Sequence, residues 1–296
     1  MFQTRDFPPD LYAVALEEYL LLQAMHALAA RPPRLSLPAE AGMLSYNDLL
    51  HLAIQTFGQE RMKELSYYLA RLQPCLPRSL DTHMPFPYGE LDERTTSAEI
   101  LSWHLLQDAQ SPLWNAVRTA LRALIWRPGR QRFSDGTANN VTFGAFARGP
   151  IGLCADTVRH GSFCRLLNRL IEHICPEHKW TTFSLNLNVR TPPHRDQSNS
   201  KTGTLLLSLS HHDEGSVWVE SWQGTDYEET DYGLLSGRPF SLAFQALIFP
   251  AHNHVHCTRG WSLTDRITLA AYCISDPGRL SSAHKATLAD LGFHLP

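Results

Sequence analysis

The sequence predicts an α+β protein, a helical first half packed on an antiparallel β-sandwich or barrel formed by the second half. Two observations carry this reading. Up to about residue 128 the apolar residues recur at helical spacing between proline-rich breaks. After about residue 136 they alternate with polar residues or form short apolar runs separated by turns, with one helix interrupting. A chain of 296 residues, 43% of them hydrophobic, can bury a substantial core.

Residues 10–30 read as a helix, with Leu11, Val14, Ala15, Leu21, Leu22 and Met25 roughly on one face, and "RPPRLSLP" breaks it. Residues 46–72 read as a second long helix with Asn47 or Asp48 as its cap, and Gly58 is its weak point. Proline-rich linkers follow at 74–88. Residues 97–107 and 111–126 read as helices again, the second stopped by Arg127-Pro128-Gly129. In the second half, "SFCRLLNRLIEHI" (162–174) is the lone helix. "TTFSLNLNVR" alternates strictly, with Leu185, Leu187 and Val189 on one face and Ser184, Asn186, Asn188 and Arg190 on the other. "TGTLLLSLS", "GSVWVES", "PFSLAFQALIFPA" and "RITLAAYCI" supply further strands. The expected division is a helical region over 1–135 and a β-core over 136–296, forming one globular unit.

Composition excludes several classes. With 26 basic and 29 acidic residues, net charge −3, no global field draws the chain to nucleic acid. No run of 18 apolar residues appears, so no membrane span is expected. The start, "MFQTRDFPPD", lacks a basic-then-apolar signal pattern, and the six cysteines are scattered without a CxxC pair. Reduced thiols in an intracellular protein, nuclear or cytoplasmic, fit that pattern. "GTANN" lacks the lysine and spacing of a phosphate loop.

The stretch "TPPHRDQSN" (191–199) carries the chemistry. Residues two apart on an extended chain project from one face, so His194 and Asp196 can reach one ion while Arg195 points away. A third ligand would complete a two-histidine, one-carboxylate site, the set that suits non-haem Fe(II) with open positions. Downstream, His252, His254 and His256 share a face at period two, and each can supply it. Arg266 follows His256 by ten residues on a strong strand. An arginine there suits the far carboxylate of a dicarboxylate bound beside the metal, through a forked, charge-assisted pair. Thr268, on the same face as Arg266, can add a hydroxyl, and Asn186 and Asn188 can offer amides to a keto acid.

The order HxD, distal histidine, then Arg-x-Thr on a strand resembles the Fe(II)/2-oxoglutarate-dependent oxygenases over roughly residues 136–274. The wider context, "FSLNLNVRTPPHRDQSN", "GSVWVE" and "HCTRGW…DR", most resembles the TET/JBP-like branch, which oxidises the methyl group of 5-methylpyrimidines in nucleic acid. The resemblance implies a double-stranded β-helix, a jelly-roll core with the iron at its open end. It implies His194, Asp196 and His256 as the metal-binding, catalytic centre, with His254 as the alternative distal ligand. It implies Arg266, Thr268, Asn186 and Asn188 around the co-substrate. The cofactors would be Fe(II), 2-oxoglutarate and dioxygen, with ascorbate as a supporting reductant. Asn199 stands where the branch often has asparagine and is expected to hold the active-site loop or touch substrate. Trp218 and Trp222, near the expected barrel mouth, are the candidates for stacking on a substrate.

Between Trp114 and Ala155 lie six arginines (118, 122, 127, 130, 132 and 148) and one acid, Asp135. They read either as a strip for a phosphate backbone or as a solvated helix face plus a loop. The acidic run "DYEETDYG" (226–233) near the expected mouth would repel phosphate. His211-His212-Asp213 reads as an exposed turn and Glu17-Glu18 as a solvated patch. A protein side chain or small molecule is the alternative substrate, and a non-catalytic binding module the alternative to an enzyme.

Overall fold

The computed structural model describes residues 2–75, 96–108, 111–128, 139–147 and 149–296. Its first element is a strand, β1 (Gln3–Asp6), which pairs antiparallel with β10 (Gln245–Phe249). The short, polar, exposed "QTRD" carries no alternation, so only the pairing makes it a strand. The helix expected next is α1 (Pro9–Ala29), with proline in its first turn. The long helix expected over 46–72 is instead two, α2 (Tyr46–Thr56) and α3 (Gln59–Leu72), broken at extended Phe57 and Gly58. Ser45, not Asn47 or Asp48, caps α2, its hydroxyl accepting the Asp48 N–H. Then come α4 (Ser97–Gln107) and α5 (Leu113–Arg122). The proline-rich linker falls mostly outside the described residues.

β1 and β10 belong to a seven-stranded sheet. Its order continues through β5 (Thr204–Ser208), β13 (Ile267–Tyr272), β4 (Thr182–Leu187), β2 (Asn139–Ala147) and β3 (Ile151–Leu153). A second, four-stranded sheet runs β11 (His256–Thr258), β7 (Val217–Glu220), β9 (Gly233–Phe240), β8 (Asp226–Thr230). A small pair, β12 (Trp261–Ser262) with β6 (Asp213–Glu214), completes the set. All the pairings are antiparallel. Helices α6 (Ala155–Arg159), α7 (Gly161–Ile174) and α8 (Ser282–Asp290) complete a mixed helix-and-sheet architecture consistent with a jelly-roll-like fold. Among the described residues no helix is long and apolar enough to cross a membrane.

Strand alternation splits the large sheet into two unlike faces. Phe143, Phe183, Leu185, Leu207, Leu269 and Ala271 are buried in one cluster with Leu121 of α5 and Leu167 and Leu170 of α7. The opposite face divides. On the β10–β5 side Leu247, Phe249 and Leu206 pack against Val217, Val219 and Leu242, joining the two sheets. On the β13–β4–β2 side Thr268, Ser184, Asn186, Asn140 and Thr142 face a cavity instead.

Glu18 is not a solvated patch. It is fully buried and takes an ion pair from Arg118 of α5, together with hydrogen bonds from Trp114 Nε1 at 3.0 Å and His211 Nε2 at 3.1 Å. Arg118 also donates to the Gly42 carbonyl at 2.6 Å. Burial opposes ionisation of Glu18, but Arg118 and His211 outweigh it and hold the carboxyl below its ordinary value. His211 is therefore core, not the exposed turn expected, and Asp213 accepts Gln23 Nε2 at 2.7 Å. This network ties α1 and α5 to the segment after β5.

Three of the six arginines in the strip lie among the described residues. Arg118 is buried, Arg122 pairs with Asp48 at 2.9 Å and Arg127 with Asp156 at 2.8 Å. Arg130, Arg132 and Arg148 lie outside the described residues. Breaking a buried pair strands its partner's charge. Arg118→Ala should therefore cost about 3–5 kcal/mol in urea unfolding, whereas a midpoint equal to wild type would contradict this account of the network.

Candidate metal centre

The chain leaves β4 through Asn188, whose φ of +55° ends the alternation. Asn188 thus turns aside: its amide donates to Asp265 Oδ1 at 2.7 Å and its oxygen accepts the Arg266 N–H at 2.8 Å. It does not line the cavity with Asn186, as expected from a continuous strand; it fixes the start of β13. Beyond the two prolines, His194 forms a reciprocal antiparallel pair with His256, N–H to O distances being 3.0 and 2.9 Å. Thr258 N–H to the Thr191 carbonyl, 3.0 Å, extends it, and Asp196 N–H reaches the Ala251 carbonyl at 3.0 Å.

These backbone bonds bring three side chains together. The ligand atoms of His194, Asp196 and His256 all lie within 4.8 Å of one another. His194 Nε2 stands 3.4 Å from Asp196 Oδ1, and His256 Nε2 3.9 Å from Oδ2. Each imidazole sets its Nδ1 against a backbone carbonyl, His194 against Pro192 at 2.8 Å and His256 against His254 at 3.1 Å. With Nδ1 held by these carbonyls, each Nε2 is left on the side of Asp196 as the ring's ligating nitrogen. Asn199 donates to Asp196 Oδ2 at 3.1 Å, orienting the carboxylate from behind.

The other two histidines do not join them. Residues 250–254 turn, so period two does not apply. His252 bonds the Asn199 carbonyl, and His254 packs edge-on against Phe2 with its Nδ1 near the Glu220 carbonyl. Electrostatics set the three side chains apart. Burial resists charge, but Asp196 raises His194, and the two histidines hold Asp196 low. Burial and the His194 charge push His256 down to about 4, leaving it neutral for ligation.

A cavity of about 310 Å³ adjoins the cluster, lined also by Asn186, Arg266 and Thr268. Arg266 is only 3% exposed. Its Nε donates to the Gly215 carbonyl at 3.2 Å and its guanidinium lies 5.7 Å from the Trp261 ring, but among the described residues it has no carboxylate partner. Burial pushes it down to about 10, so it remains a cation at neutral pH. Gly215 must be glycine: φ is +69°, and a Cβ would meet His212 and Arg266 at 3.0 Å or less.

Glu220 carries no signal in the sequence. Its Oε2 accepts both Arg195 Nη2 at 3.0 Å and the Val255 N–H at 2.9 Å. Arg195 lies between His194 and Asp196, and Val255 precedes His256, so one carboxylate oxygen braces both ligand-bearing segments. Arg195 does point away from the cluster; it stacks 4.8 Å from the Tyr232 ring at the β8–β9 turn. The tryptophans are elsewhere. Trp218, alternating with cavity-lining Val217, is fully buried against Val255 and Cys257, and Trp222 is 87% exposed.

No protein-family model matches the chain, and no curated protein matches it. Solved structures do. An oxidoreductase of the 2OG-Fe(II) oxygenase family from Burkholderia pseudomallei aligns over 51% of this chain and 73% of its own, with 14% identity and a TM-score of 0.38. A prolyl-4-hydroxylase from Pseudomonas putida aligns over 52% and 79%, with 13% identity and a TM-score of 0.30. NgTET1, in complex with 5mC DNA, aligns over 46% and 60%, with 13% identity and a TM-score of 0.28. At such scores the reading of this site rests on its own geometry.

Outer-sphere partners commonly change metal affinity 10–100-fold. Glu220→Ala should weaken Ni(II) binding, followed by calorimetry, by about 10-fold or more, with Glu220→Gln intermediate; unchanged affinity in both would remove the brace. His212, beside Arg266, is pushed down to about 3, first by burial and then by that charge. Unfolded, it titrates near 6.5, so its contribution to stability is complete above that pH and is lost as pH falls toward 3. His212→Asn should flatten the pH dependence of unfolding between about pH 6 and 4 by up to ~1.4 kcal/mol per unit, and an unchanged slope would contradict this.

Proposed function

We propose that this protein is an Fe(II)- and 2-oxoglutarate-dependent dioxygenase that oxidises a substrate C–H bond. The observation that carries the reading is the His–Asp–His cluster sharing one cavity with a buried arginine that has no carboxylate partner among the described residues. The donor set fits the metal. Two imidazoles, His194 giving up the proton that Asp196 favours when metal binds, and one carboxylate make the facial triad suited to non-haem Fe(II). Neighbouring ligands of such an ion lie about 3 Å apart, a small closing movement from the distances here.

In this reading His194, Asp196 and His256 hold Fe(II), leaving net +1 charge at the metal. Arg266 holds the far carboxylate of 2-oxoglutarate, which supplies the counter-charge that a buried guanidinium needs. Thr268, two residues on along β13, adds a hydroxyl, and Asn186 offers its amide. When bound, Fe(II) with 2-oxoglutarate and dioxygen supplies the oxidising power, 2-oxoglutarate leaving as succinate and carbon dioxide. The chain supplies positioning and a water-poor cavity.

The substrate reading drawn from the sequence is the methyl group of 5-methylcytosine or thymine in nucleic acid. What supports it is the wider HxD motif. The alternative, a small molecule or a protein side chain, is favoured by one observation: Arg118, Arg122 and Arg127 are already paired with acids. A non-catalytic binding module would not need a complete ligand set beside Arg266.

Protein loaded anaerobically with Fe(II) and then assayed in air, with ascorbate in the buffer, should convert 2-oxoglutarate to succinate slowly without substrate. His194→Ala and Asp196→Ala should abolish this. Arg266→Ala should raise the 2-oxoglutarate Kd by ~10–100-fold, the worth of a charged hydrogen-bond pair. Undiminished succinate formation in His194→Ala would overturn the proposal. Mass spectrometry of nucleosides from methylated DNA incubated with the protein tests the base reading.

A further inference from the structure

The cavity beside the cluster does not end there. Asn140, Thr142, Ser198 and Tyr272 also line a second chamber of about 610 Å³, which extends past β2 to α6. Asn140, Thr142 and Tyr272 of the large sheet form the wall common to both chambers, while Ser184 and Asn186 line the first alone. There a single hydrogen-bonded row crosses three strands. Tyr272 OH meets Ser184 Oγ at 3.3 Å, Ser184 Oγ meets Thr142 Oγ1 at 2.9 Å, and Thr142 Oγ1 reaches Asn140 Oδ1 at 3.4 Å. Asn140 Nδ2 then donates to Asn186 Oδ1 at 2.7 Å, at the end nearer Arg266.

The inner face of a sandwich is ordinarily apolar and packed, as this one is on its β10–β5 side. A row of hydroxyls and amides there, hydrogen-bonded within itself and bordering open space, can exchange those bonds for a ligand's. The row selects by chemistry. Hydroxyl and amide groups both donate and accept, so they suit a partner carrying several such groups. They carry no charge. The ion pair in the second chamber, Arg127 with Asp156, is already compensated at 2.8 Å. Arg266, at the other end of the first chamber, is the cation taken by the co-substrate in the reading above.

We propose that the second chamber is the substrate site and that it takes a neutral small molecule bearing several hydroxyl or amide groups, held by Asn140, Thr142 and Tyr272, the members of the row that line it. The word substrate rests on the metal-site reading; the chamber and its ligand class do not. A free molecule fits better than a base on a polyanion. Arg118, Arg122 and Arg127 are paired, and Tyr232 of the acidic 226–233 hairpin lies against Arg195 in the metal-binding loop.

The test uses crystals of the full chain soaked separately with N-methylurea, myo-inositol, uridine, acetate and inorganic phosphate, with solution affinities alongside. Neutral probes seated in the second chamber, and weakened at least ~10-fold in a Thr142→Val/Tyr272→Phe double variant, are the expected result. Acetate or phosphate in that chamber overturns the proposal, as does an empty chamber with every probe or neutral binding indifferent to the double variant. An oligouridylate binding more tightly than uridine overturns the choice of a free molecule. Nickel affinity is measured in parallel: its failure in the unsubstituted protein would sink the metal reading and leave the chamber result standing.

Discussion

Everything at the site hangs on the two-residue backbone pairing of His194 with His256. The residues exchange both N–H···O bonds, so their Cα atoms face each other across the ladder and both imidazoles emerge on one side. Asp196, bonded through its own N–H to Ala251, follows two residues later on the same side. Three ligands from two segments some sixty residues apart are thus set by main-chain hydrogen bonds, before any side-chain attraction contributes. Glu220 then ties the residues between and beside those ligands.

Around that pairing the sheet resolves a conflict between packing and solvation. One face of the large sheet buries aromatic and aliphatic residues against α5 and α7. The other joins the second sheet only on its β10–β5 side. The remaining part stays unpacked and polar, and Arg266 stands at its edge with its charge desolvated. Within the cluster His194 and the ionised Asp196 offset each other, so the charge left without a partner among the described residues is that of Arg266. A dicarboxylate, as proposed above, would supply that partner.

Much of this was legible in the sequence because it is local. The alternation of "TTFSLNLNVR" places Leu185 in the core and Ser184 and Asn186 on the cavity side, as found. His194, Asp196 and Arg266 could be picked out by spacing and residue type. What escaped depends on contacts between distant segments. β1 is a strand only because β10 offers it an edge. Asn188 leaves the cavity because a positive φ breaks the period on which its placement relied. Glu18 and His211 looked exposed because nothing nearby in the chain announces Arg118, which buries both. Glu220 and the Tyr272–Ser184–Thr142 row span residues 142 to 272 and exist only once the strands are side by side.

The central claim is that the His194–Asp196–His256 cluster binds iron and that Arg266 faces the far end of its co-substrate. Anomalous diffraction at the iron edge, on crystals loaded anaerobically with Fe(II) and 2-oxoglutarate, tests it most directly. The account predicts one iron peak about 2.0–2.2 Å from His194 Nε2, a carboxylate oxygen of Asp196 and His256 Nε2, with a carboxylate against the Arg266 guanidinium. Iron bound elsewhere, no iron peak, or Arg266 without an anion in the iron-loaded crystal would contradict it.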